Sequence, residues 1–90
     1  MTTIELIEQR LRERLVPTHL ELHDDSAKHA GHRGATSSGG HYRLVIVSSE
    51  FEGKTLIERH RLVNEAVHDL FGPKIHALSM RTLTPDQWKT

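Results

Sequence analysis

Apolar residues in the first fifteen positions fall at Ile4, Ile7, Leu11 and Leu15, the spacing of one helix face. Thr2, with Glu5 three residues later, reads as a capping box that starts this helix, and Pro17 ends it. The period then changes. Leu20 and Leu22 alternate with His19, Glu21 and His23, which predicts a short strand with one buried face. From Asp24 to Gly40 the chain has almost no apolar side chains and carries four of its six glycines, so it reads as a long polar loop. Loops longer than about 12 residues in compact domains are usually functional or disordered. His41 to Ser48 is the clearest strand, with Tyr42, Leu44 and Ile46 facing one way and Arg43, Val45 and Val47 the other. After a turn around Gly53, Lys54 to Phe71 reads as one helix with Leu56, His60, Val63, Val67 and Leu70 on a single stripe. Gly72-Pro73 breaks it and leaves a strand from Ile75 to about Leu83. Thr84, Pro85 and Gln87 then suggest a capped final turn ending at Trp88.

The order is therefore α, β, β, α, β. A long helix between the second and third strands predicts a crossover that leaves those strands parallel, while the first two pair antiparallel through the long loop. The sheet is expected to be mixed, with the helices packed on one of its faces.

Ninety residues make one domain, 1–90, with a modest core. Twelve Lys plus Arg balance twelve Asp plus Glu, unlike a strongly basic nucleic-acid protein. The absence of cysteine excludes disulfides, a Cys nucleophile and any self-contained thiolate cluster site. The N-terminal segment is amphipathic and studded with acids, which argues against a signal or transit peptide. No apolar run approaches the roughly 20 residues that span a bilayer. A soluble, cytoplasmic chain is expected.

The unusual feature is eight histidines, because imidazole is both the commonest metal-binding side chain and the one that titrates near neutral pH. His29 and His32 sit in the polar loop, His41 opens the second strand and His76 opens the third. His60 lies on the apolar stripe and reads as a core residue that satisfies a hydrogen bond. His19, His23 and His68 read as solvated.

At this point the order of residues becomes recognisable. Asp24 to Ser26, His29, Gly40-His41-Tyr42, Val45 to Ser48, Phe51-Glu52-Gly53, Arg59-His60-Arg61-Leu62-Val63 and Ile75-His76-Ala77-Leu78 together resemble the BolA family over nearly the whole chain. The F-x-G followed by R-H-R and the later H-A-L are its most specific parts. The family more often shows Asp-Glu-Ser at Asp24-Asp25-Ser26, Phe at Tyr42 and Tyr at Asn64. The resemblance implies an α-β-β-α-α-β arrangement of the α+β class, related to the class II KH fold, with a short extra helical turn beside the main helix. It also implies a non-enzymatic adaptor in iron–sulfur cluster assembly or trafficking that pairs with a monothiol glutaredoxin and shares a two-iron two-sulfur cluster. By the family pattern His76 is the invariant ligand and His29 the second, with His32 as the rival. A chain without cysteine fits this role, because two imidazoles on one iron and two thiolates on the other is a known division of ligands. The glutaredoxin cysteine and glutathione would supply the thiolates. The isolated chain is expected to hold no cluster and to be a monomer or weak homodimer.

Three other readings compete. BolA-like proteins are also described as transcriptional regulators, and Lys54, Arg59, Arg61 and Arg81, with Lys74 nearby, are candidates for a nucleic-acid patch. Against it, the segment around Glu52-Gly53-Lys54 lacks the G-x-x-G loop with which KH domains clamp a nucleic-acid backbone. An enzyme is disfavoured, because the chain has no G-x-S-x-G, no H-E-x-x-H and no phosphate-cradling glycine loop. Simple zinc binding through His29, His32 and His41 is the remaining possibility.

Overall fold

A computed structural model describes residues 1–25 and 40–89. Helix α1 spans Thr3–Leu15, and its capping box forms as the sequence predicts. The Thr2 hydroxyl accepts from the Glu5 N–H at 3.1 Å while the Thr2 N–H donates to the Glu5 carboxylate at 2.9 Å. Ile7, Leu11 and Leu15 form its buried stripe. Strand β1 (His19–Asp24) pairs antiparallel with β2 (Gly40–Val47), and β2 pairs parallel with β3 (Ile75–Leu83), in the order β1-β2-β3. Helix α2 (Leu56–Ala66) makes the crossover between β2 and β3, and α3 (Pro85–Trp88) follows β3.

The core lies between one face of the sheet and the pair α1 and α2. Tyr42, Leu44 and Ile46 from β2 meet Ile7, Leu11 and Leu15 from α1 and Val63, Ala66 and Val67 around the end of α2. Phe51 fills the centre from a 3-10 turn at Ser49–Phe51. The buried Ser48 hydroxyl stabilises that turn by donating to the Leu15 carbonyl at 2.6 Å and accepting from the Glu50 N–H at 3.0 Å. One residue thus links the end of β2 to the end of α1.

The segment 54–71 departs from the expected single helix. α2 ends at Ala66, Val67 adopts φ −119° and ψ 16°, and a separate 3-10 turn follows at His68–Leu70. That break lets Val67 and Leu70 both enter the core before Phe71 bridges to Ile75. It supplies the extra turn that the family resemblance implied. The apolar stripe also begins later than expected. Leu56 is 61% exposed, so the first turn of α2 does not reach the sheet. His60 turns partly inward, yet its Nε2 is buried without a hydrogen-bond partner among the described residues, so the expected hydrogen bond is not made.

α1 ends on an unusual residue. Val16 is left-handed (φ 43°, ψ 59°) and donates its N–H to the Arg12 carbonyl at 3.2 Å. A branched side chain there costs about 1–2 kcal/mol, and glycine is the usual occupant. Val16 is 71% exposed, so little packing offsets the strain. Val16→Gly is accordingly expected to stabilise the domain by about 1 kcal/mol, read as a higher midpoint in urea unfolding. An unchanged or lower midpoint would show that the left-handed residue carries no net strain.

Candidate functional site

Tyr42, Leu44 and Ile46 pair with Leu78, Met80 and Thr82, and these six residues share the face that meets α1 and α2. By strict alternation His76 would join Leu78 and Met80 on that inner face. The register prevents this. Gly40 pairs with Ile75 but the next residue, His41, pairs with Ala77, so His76 is the extra residue of a β-bulge. Ile75 stays fully buried while His76 is exposed. Bulges commonly re-aim a side chain in this way.

The ring of His41 lies beside that of His76, with centroids 5.0 Å apart and planes tilted by 38°. His41 is half-buried and His76 is exposed, so the pair sits at the surface with one ring held by its surroundings. Around it the backbone is well fixed. The Gly40 N–H donates to the Lys74 carbonyl at 3.1 Å and the Asp25 N–H to the His41 carbonyl at 2.8 Å. The Asp25 carboxylate accepts from Arg43 Nε at 3.2 Å.

His29 and His32, the expected second ligand and its rival, lie outside the described residues. The residues that flank that segment do not. Asp25 and Gly40 stand at the end of the sheet that carries His41 and His76. Of the sequence-derived ligands, His76 is therefore placed at the surface beside a second imidazole. The sequence considered that imidazole, His41, only as a zinc ligand. Nothing in local periodicity announces a bulge, and the only cue was that both histidines open adjacent strands.

Among the described residues no group of three or more His, Cys, Asp or Glu is placed to hold a metal ion. The chain has no cysteine, and among the described residues the donors at this place are two neighbouring imidazoles. No helix among the described residues is long and apolar enough to cross a membrane.

The four basic residues considered for nucleic acid do not form one patch. The half-buried Arg59 guanidinium is committed to partners within the chain, donating to the Lys54 carbonyl (3.1 Å), the Thr82 carbonyl (3.2 Å) and Gln87 Oε1 (2.7 Å). It thereby ties α2 to the end of β3 and to α3. Lys54 and Arg61 are exposed around the start of α2, where the Glu58 carboxylate lies within reach of both charges. Glu58 is held below the usual carboxylate range chiefly by the Thr55 N–H and hydroxyl, then by Lys54 and Arg61. Arg81 pairs with Val45 on the sheet face away from α1 and α2. A set split between two sides of the molecule, with one member internally bonded, offers no continuous track for a phosphate backbone.

The family model described as BolA-like protein matches residues 11–87. A BolA-like protein of Dictyostelium discoideum is 44% identical over 99% of this chain and 80% of its own length. The match is shorter on the other side for BolA-like protein 1 of Mus musculus (40% identical), of which the chain spans 58%. The structure of BolA1 from Arabidopsis thaliana superimposes with a TM-score of 0.85 at 33% identity, covering 99% of this chain and 98% of that one. The BolA domain of SufE1 from the same plant superimposes with a TM-score of 0.80 at 38% identity, covering 96% of each chain. Sequence, strand order and the match across residues 11–87 thus converge, and this chain belongs to the BolA-like family.

Proposed function

We propose that this protein is a non-enzymatic adaptor that docks onto a monothiol glutaredoxin and contributes histidine ligands to a shared two-iron two-sulfur cluster. The observation that carries this reading is the bulge at Gly40/His41, which leaves His76 exposed beside His41 on a chain that has no cysteine. Imidazoles alone do not supply the thiolates such a cluster uses, so the partner's cysteine and a glutathione thiol complete the set. His76 is the fixed ligand, because its backbone belongs to β3. His29 is the second ligand in this reading and His32 its rival, while the His41 ring lies tilted beside that of His76. The occurrence of a BolA domain within SufE1 shows that such a domain also exists fused to a SufE-type protein. In this reading the adaptor is cytoplasmic, and a monomer or weak homodimer when free.

The direct test mixes the full chain with a monothiol glutaredoxin, glutathione, iron and sulfide, and records visible absorption and circular dichroism. The expected result is a spectrum distinct from that of the glutaredoxin alone, together with a co-eluting complex. A glutaredoxin spectrum left untouched would overturn the proposal.

The regulatory, nucleic-acid-binding reading is weaker. It needs Lys54, Arg59, Arg61 and Arg81 to act together, and Arg59 is internally bonded while Arg81 faces the other side.

A further inference from the structure

The end of the sheet opposite His76 gathers the start of β1 with the ends of β2 and β3, and α3 lies across it. On one flank, Gln87 accepts from Arg59 of α2. On the other, Trp88 stacks on His19, with centroids 4.6 Å apart and planes within 23° of parallel. His19 belongs to the sheet face away from α1 and α2, because Leu20 and Leu22, the alternate residues, pack against the core. His19 Nε2 lies 2.7 Å from one oxygen of Glu21, and His23 Nε2 lies 3.5 Å from the other. Val47, the cross-strand partner of His19, is fully buried even though it alternates with the core-facing Ile46. A four-residue helix is too short to persist by its own hydrogen bonds, so α3 depends on these side-chain ties.

We infer that His19, Glu21 and Trp88 form a proton-dependent latch that tightens α3 against the sheet when His19 becomes charged. A neutral imidazole stacked on an indole gains mainly contact. An imidazolium in the same place is also attracted by the negative face of the ring and by the adjacent carboxylate. Glu21 remains ionised while this happens, since hydrogen bonds from His19 and His23 hold its carboxyl below the ordinary value of 4.5. The sign follows. The latch closes when His19 takes up a proton and reopens only once Glu21, whose carboxyl is held below the ordinary 4.5, is itself protonated.

The other charges around His19 are His23 on β1, Arg43 opposite His23 on β2, Arg81 in the Glu21–Val45–Arg81 row, Asp86 in α3 and Lys89 just after it. Arg43 is engaged by Asp25, and Glu21 is the counter-charge in direct contact with His19, at 2.7 Å. Opening the latch at higher pH loosens the support that α3 gives Arg59.

Trp88 is the single tryptophan, so its fluorescence reports on the stack directly. In the full chain, emission is expected to fall along a sigmoid as pH drops from about 8 to about 5, because imidazolium quenches indole. Acrylamide accessibility of Trp88 should fall over the same interval. His19→Gln should abolish both changes, and His23→Gln should keep them. The latch is overturned by a wild-type chain without the transition, by accessibility that rises on acidification, or by a transition that survives in His19→Gln.

Discussion

The His76→Ala chain, mixed with a monothiol glutaredoxin, glutathione, iron and sulfide, is expected to lose the mixed-complex spectrum and to leave only the bands of the glutaredoxin partner. The physical reason is the bulge. His76 is the residue that β2 leaves without an in-register partner, so its side chain is free of the sheet's packing and available to a ligand. Its loss removes a donor that no other described residue replaces from the same backbone position. Even outer residues that only orient ligands cost about 10–100-fold in metal affinity when removed, and a ligand itself should cost no less. Because His76 is exposed, alanine removes no core packing, and the unfolding midpoint should stay near that of the wild type. Loss of the spectrum without loss of stability is therefore the signature of a ligand. His29→Ala is expected to approach the His76→Ala result, and His41→Ala to shift the bands without abolishing them. A His76→Ala complex with the full wild-type spectrum would remove His76 from the site.

Phe51→Ala is expected to destabilise the domain by about 3–5 kcal/mol, the usual cost of emptying a buried aromatic position. Phe51 is fully buried at the junction of β2 with the crossover, amid residues from α1, β2 and α2. A domain of this kind holds about 5–15 kcal/mol in total, so one substitution consumes a large share. Urea unfolding would show it as a midpoint far below wild type with a similar slope. A loss under about 1 kcal/mol would mean that the surrounding side chains collapse into the space. The site should feel this change only through global unfolding, because His41 and His76 lie at the opposite end of β2 from the turn that carries Phe51.

Several elements were legible because their signals are local. Thr2 with Glu5 marked the start of α1, and Thr84 with Gln87 marked α3. The alternation through Tyr42, Leu44 and Ile46 marked the buried face of β2. A capping box and a two-residue period are properties of a few neighbouring residues, so they survive without knowledge of the rest of the chain. The misreadings involve longer range. Leu56 matched the helical stripe but lies 61% exposed, because a stripe says which side of a helix is apolar and not where along the helix the sheet begins. Phe51 stood out in the sequence only as the first residue of the F-x-G motif, and its burial became visible only once it was seen in the core with residues of α1 and α2.

The same division holds for function. By itself the sequence determined that the chain lacks thiolates, that histidines open two strands, and that its ordered motifs resemble the BolA family. These are matters of composition and order along the chain. Tertiary structure alone decided that His76 faces outward, since a slip of one residue between β2 and β3 reverses which face a side chain meets. It alone brought His41 beside His76, locked Arg59 between α2 and α3, and set Trp88 on His19. Each of those contacts joins residues from separate elements. Their partners are fixed by strand register and helix packing, which the hydrophobic pattern of any one element does not specify.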